Sequence, residues 1–153
     1  MKQMFLGSLL LALAVTTGQA QGPAAGPTAA DKEAVRQAAM NYIEALYQAK
    51  PELIEKSVHP DLSKRGYFRK KGEQAISNEP MSYQQLHDLA GKWNKDGKRP
   101  IEKAPKEVVV YEVLNQTASA KVTAFWGIDY MHLAKYDGTW KIVNILWQEP
   151  PPK

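Results

Sequence analysis

Cysteine is absent from the 153 residues. That excludes disulfides, thiolate chemistry and a lipid-modified N-terminal cysteine, so stability has to come from packing. Histidine is scarce: His59, His87 and His132 lie far apart with no paired-histidine spacing, and no metal site or cofactor is expected. The chain also lacks a nucleophile motif, a glycine-rich phosphate loop and paired carboxylates, so no catalytic residue is assigned. Its one long apolar run, residues 4–15, is shorter than the roughly 20 residues that span a bilayer. The formal net charge of +4 is too small to argue for a nucleic-acid partner.

What is present starts with an address. Lys2 precedes the apolar run, and Thr16-Thr17-Gly18-Gln19-Ala20 ends in the small-x-small pattern of a signal-peptidase site. Residues 1–20 therefore read as a cleaved secretory signal peptide. The mature protein is expected in the periplasm or the medium, with no membrane segment once the signal is removed. Residues 21–30, rich in Gly, Pro and Ala, read as a flexible leader. Residues 31–149 have the length of one domain, and 150–153 form a loose Pro-rich tail.

Thr28-Ala29-Ala30-Asp31 fits a capping box. Behind it Val35, Ala38, Ala39, Tyr42, Ile43 and Leu46 recur at helical spacing and predict an amphipathic helix as far as Lys50. Tyr47 falls nearly opposite Tyr42, outside that stripe. Pro51 suits the first turn of a second helix, which His59-Pro60 stops. Residues 64–72 predict a short strand or hairpin, with Arg65, Arg69, Lys70 and Lys71 as a solvated edge. Ser82 can cap a third helix carrying Leu86, Leu89, Ala90 and Trp93. After a polar loop, residues 107–114, 118–136 and 139–148 predict three long antiparallel strands, the middle one bent at Gly127. Helices first and strands last is the α+β pattern.

Asp137-Gly138, between two apolar runs, predicts a two-residue hairpin. Uninterrupted pairing outward from Tyr136 and Thr139 puts Asp129, Met131 and Leu133 on one face with Leu146, Asn144, Ile142 and Trp140. Ile128, Tyr130, Val143, Ile145 and Trp147 take the other. The first face is the greasier and is assigned to the helices. There Asp129 and Asn144 are costly unless hydrogen-bonded. Either they satisfy backbone groups or each other, or they are the few polar groups of a mostly apolar small-molecule pocket. The five apolar residues of the second face predict self-association into a homodimer.

"AMNYIEALYQAKPELIEKSVHPDL" at 39–62, "ASAKV" at 118–122 and "DYMHLAKYDGTWKIVNILW" at 129–147 carry a resemblance. In these stretches the chain resembles the putative lumazine-binding family of the nuclear transport factor 2-like superfamily. The resemblance implies a cone in which N-terminal helices pack on a curved antiparallel sheet, with a pterin-like ligand inside and His59 near the mouth. Relatives by fold include isomerases, cyclases and dehydratases, alongside members without catalysis, so fold alone does not choose a function. The resulting expectation is an exported small-molecule-binding module. Asp129 and Asn144 orient the ligand, Tyr42 and Trp140 form apolar walls, and His59 lies at the rim. The alternatives are an enzyme of the isomerase, cyclase or dehydratase type with Asp129 as general base, and an interaction domain with no ligand.

Overall fold

The computed structural model describes residues 26–150. The expected signal peptide, leader residues 21–25 and tail residues 151–153 lie outside them. Helix α1 (Ala29–Tyr47) opens with the capping box: Asp31 N–H donates to Thr28 Oγ1 at 3.1 Å, and Thr28 N–H donates to Asp31 Oδ2 at 3.0 Å. The helix ends at Tyr47 rather than Lys50. Ala49 turns into the left-handed region at φ 53°, and the Lys50 N–H closes back onto Ala45 O. Tyr47 is buried like Tyr42, contrary to its place on the helical wheel, because the chain around residues 93–105 covers that side. Its hydroxyl donates to Pro105 O at 2.9 Å and accepts from Phe125 N–H at 2.8 Å.

After Pro51, α2 (Glu52–Ser57) runs without a break into β1 (Val58–Arg69), which is much longer than the strand expected from residue 64. Pro60 brings no N–H to the ladder, and pairing is irregular there between Val58 and Ser63. The chain returns in β2 (Ile76–Met81), a strand too polar to stand out in the sequence, and α3 (Tyr83–Ala90) follows with Ser82 and Gln85 as its capping box. Four more strands complete the domain: β3 (Glu107–Val113), β4 (Thr117–Ala124), β5 (Gly127–Tyr136) and β6 (Thr139–Gln148).

The single bent strand expected over 118–136 is in fact two. The chain reverses at Phe125-Trp126, with Ala124 paired to Gly127. Gly127 sits at φ 132°, and a Cβ there would lie 2.1 Å from Gln148 O, so only glycine fits the turn. The six strands form one sheet in the order β2-β1-β6-β5-β4-β3. Every pair is antiparallel except β1–β6, which is parallel, so the sheet is mixed rather than purely antiparallel. Helix α1 lies across β3, β4 and β6, and α3 packs on β1, so the helices share one face. Among the described residues no helix is long and apolar enough to cross a membrane.

The hairpin at Asp137-Gly138 forms as expected, with both residues at positive φ. Pairing is regular from Tyr136–Thr139 to Leu133–Ile142, and then Val143 is bulged, so that His132 faces Asn144. One extra residue exchanges the two faces for the rest of the strand. Ile145 and Trp147 turn inward beside Met131 and Asp129, while Asn144 and Leu146 turn outward beside His132 and Tyr130. The expected placements of Asn144, Ile145, Leu146 and Trp147 are thereby corrected. Those of Asp129, Met131, Leu133, Trp140 and Ile142 stand.

Candidate functional site

The inner face of β1 carries Leu62, Lys64, Gly66 and Phe68. Lys64 lies opposite Ile145 on β6 and Met81 on β2, and Gly66 lies opposite Trp147 and Glu79. A Cβ on Gly66 would stand 2.4 Å from the Trp147 ring, so glycine is what lets that ring lie flat over β1. With α1 and α3 above, Lys64, Gly66 and Phe68 border a half-open cavity of about 280 Å³. Leu46, Leu86, Leu89 and Met81 supply aliphatic wall; Trp93, Trp126, Trp147 and Phe68 supply aromatic wall. Ligand sites usually begin near ~300 Å³, so the space suits one or two fused rings.

The polar end of the cavity is a closed set of four side chains. Asp129, 0% exposed, accepts from Tyr42 Oη at 3.1 Å and from Lys64 Nζ at 3.1 Å on Oδ1, and from Trp126 Nε1 at 2.6 Å on Oδ2. Lys64 Nζ also donates to the Tyr42 hydroxyl at 2.8 Å, and stands 5.3 Å from the Tyr42 ring centroid and 5.9 Å from that of Trp147. Burial, reinforced by the Asp129 charge, pushes the Tyr42 hydroxyl well above its ordinary range, so it remains a donor. The ion pair is completed by these further hydrogen bonds, the condition under which a buried pair is tolerable.

The chemistry on offer follows from who touches the cavity. Lys64 and Tyr42 line it; Asp129 stands behind them with both oxygens occupied. A ligand therefore meets an ammonium and a phenol oxygen at this end, and on the β2 side the Glu79 carboxylate, which Lys70 pairs at 2.6 Å. Two of the three ammonium protons go to Tyr42 and Asp129, which leaves one for a ligand acceptor. Because Asp129 balances the Lys64 charge, a neutral acceptor such as a ring carbonyl is accommodated without burying a net charge, whereas a carboxylate is not.

Of the residues singled out from the sequence, the structure brings Tyr42 and Asp129 together and separates the others. Asn144 is on the outer face, where its Nδ2 donates to Ser63 O at 3.0 Å and its Oδ1 meets His132 Nδ1 at 3.0 Å. Trp140 is buried away from the cavity: its Nε1 donates to Asp31 Oδ1 at 3.0 Å, anchoring the start of α1 to β6. Lys135 binds the same oxygen at 2.5 Å, and these partners, Lys135 foremost, hold the Asp31 carboxyl well below the usual range. His59 is not at the cavity. It stacks on Tyr136 at 4.2 Å, and its Nδ1 accepts from Asp61 N–H at 3.2 Å. Lys64, Gly66, Trp126 and Trp147 were missed. For Lys64 a signal existed: Leu62, Lys64, Gly66 and Phe68 alternate with polar residues, which places one lysine on an otherwise apolar side. Among the described residues no group of His, Asp and Glu is placed to hold a metal ion.

Comparison with known proteins fits this architecture. The nuclear transport factor 2-like protein of unknown function from Shewanella baltica superposes with a TM-score of 0.59 at 16% identity, covering 78% of this chain and 94% of that one. One from Methylobacillus flagellatus gives 0.61 at 20% identity, covering 82% and 96%. One from Silicibacter pomeroyi gives 0.57 at 17%, covering 78% and 97%. At such identities the likeness establishes the fold. No curated protein matches the sequence. The family model described as "Putative lumazine-binding" matches residues 30–148, from the first turn of α1 to the end of β6. The chain belongs to that family, and its fold is the nuclear transport factor 2-like α+β cone.

Proposed function

We propose that the protein is a small-molecule-binding module whose ligand is planar, carries one or two rings and presents a neutral carbonyl to Lys64. The observation that carries this reading is a mostly apolar cavity of about 280 Å³ with one ammonium at its end, held by a buried carboxylate. Aromatic walls stack the ring, Lys64 fixes its orientation, and Asp129 and Trp126 hold Lys64 and Tyr42 in place. A lumazine or pterin has this chemistry, and the family description supports that class. Enzymatic use of Asp129 as general base finds less support, because the carboxylate is already engaged by three donors and does not line the cavity. The apolar run at residues 4–15, followed by the small-x-small pattern Gly18-Gln19-Ala20, supports export of the module.

Three of the four tryptophans line the cavity, so lumazine titrated into the protein should quench their fluorescence, and Lys64→Met should abolish the effect. Native mass spectrometry of protein purified from its producing cell should show a co-purified mass lost on denaturation. Unchanged fluorescence across lumazine, pterin and simple aromatic amides, together with a bare native mass, would overturn the reading.

Self-association through the outer face of the sheet belongs to the same proposal, on a corrected surface. The row Val109–Lys121–Tyr130–Leu146–Arg65 crosses five strands there. Tyr130 is 51% exposed and Leu146 45% exposed, an apolar centre with a polar rim.

A further inference from the structure

The chain between α3 and β3 carries a strong surplus of positive charge. Residues 92–106 carry six basic and two acidic side chains, a surplus of four that equals the formal net charge of +4 of the whole sequence. This segment forms one side of an open groove of about 780 Å³. Lys92, Lys95, Lys98 and Arg99 line it together with one acidic residue, Asp96, and Phe125 and Trp93 supply its aromatic surface. Of the four cations only Lys98 has an acidic partner among the described residues, Asp96 at 3.4 Å.

The groove is built rather than merely charged. The Arg99 guanidinium carbon stands 4.4 Å from the Trp93 ring centroid, and its Nε donates to Trp93 O. Asn94 Oδ1 accepts from Arg99 N–H at 3.1 Å, while Asn94 Nδ2 donates to Tyr47 O at 2.9 Å, tying the loop to α1. Trp93 stacks on Tyr47 at 5.9 Å, and its edges meet Phe125 at 5.6 Å and Trp126 at 5.4 Å. Trp93 lines both this groove and the cavity, so the two spaces share a wall.

The two spaces have opposite preferences. The cavity disfavours a net anion, because Asp129 already balances Lys64. The groove attracts one, because three cations there have no acidic partner among the described residues. From that contrast we propose that the groove is a second subsite of the same ligand. It takes an anionic tail, such as a phosphate monoester on a polyol chain, while the neutral planar head lies in the cavity. This rests on the ligand-binding reading above. Two-point attachment raises affinity without new contacts at the head, and the tail's share of it is electrostatic and therefore screened by salt.

The test uses 6,7-dimethyl-8-ribityllumazine, its 5′-phosphate and inorganic pyrophosphate, each titrated into the full chain and into the double variant Lys92→Gln/Lys95→Gln. The phosphate ester should bind about tenfold tighter than the unphosphorylated compound, the equivalent of two exposed charge contacts. That advantage should shrink at high salt and vanish in the double variant, whose affinity for the unphosphorylated compound is unchanged. Pyrophosphate alone should shift backbone amide resonances of residues 92–99 in the unaltered chain. Equal affinity for the two lumazines, or an advantage that survives the double variant, overturns the tail subsite while leaving the cavity reading intact. If neither lumazine binds but pyrophosphate shifts those amides, the cavity reading fails and with it the single two-part ligand.

Discussion

The two faces of the sheet use similar residues to opposite ends. On the inner face polar groups are few, fully enclosed and bonded to one another: Asp129 serves Lys64, Tyr42 and Trp126 within one cluster. On the outer face Asn144 and His132 pair at 3.0 Å beside water, and apolar Tyr130 and Leu146 stand exposed next to Arg65 and Lys121. Enclosure turns a single charge into an orienting device, because in a low-dielectric site the alternatives to its partner are costly. Exposure turns apolar side chains into a surface for another molecule. The same strand, β6, contributes to both, and the bulge at Val143 decides which of its residues goes where.

The contrast is broken most severely by removing the enclosed carboxylate. Asp129→Ala leaves the Lys64 charge and two further donors without their acceptor. We expect a loss of about 3–5 kcal/mol in urea unfolding. Asp129→Leu combined with Lys64→Met should regain much of it, since a buried pair can be replaced by apolar groups of similar volume. A double variant no more stable than Asp129→Ala would show that the cluster is not an ion pair in the sense argued.

Gly66→Val comes next. Its side chain would occupy the space of the Trp147 ring, 2.4 Å from the Cβ position, and should cost about 1–3 kcal/mol by overpacking. Because Trp147 lines the cavity, the same change should shift tryptophan emission and weaken any cavity ligand.

Alkaline titration gives a smaller effect. The Tyr42 hydroxyl titrates well above its ordinary value of 10.0 in the folded state, so the folded chain holds that proton more tightly than the unfolded one. The resulting stability is fully present below about pH 10 and is lost as pH rises beyond it. The urea midpoint of the unaltered chain should therefore fall more steeply than that of Tyr42→Phe between about pH 9 and pH 11. Parallel curves would remove Tyr42 as the source.

The smallest effect on stability should come from the outer face. Leu146→Glu should stay within about 0.5 kcal/mol of the unaltered chain, as surface changes usually do. In sedimentation it should convert a dimer to a monomer at tens of micromolar. A monomeric parent chain at that concentration removes the dimer proposal.

The sequence by itself determined the parts whose signals are local. Thr28 to Asp31 and Ser82 to Gln85 cap their helices with bonds that span only three residues, and Asp137-Gly138 admits positive φ where few other pairs do. The apolar stripe through Val35, Ala39, Tyr42 and Ile43 marked the face of α1 that meets the sheet. The burial of Asp129 was legible too, since its pairing distance to the hairpin kept it on the greasy face of β5.

Tertiary structure decided what depends on partners distant in sequence. Nothing in "VNILW" reveals that Val143 is bulged, and that single offset carried Asn144 out of the site and Trp147 into it. Nothing near Lys64 reveals Asp129 or Tyr42, which lie 65 and 22 residues away and meet it only because β1 joins β6 in parallel. Hydrogen bonds across such separations form after the chain has collapsed, so no window of sequence contains both partners. The fold is written in local preference and periodicity, whereas the site is written in register.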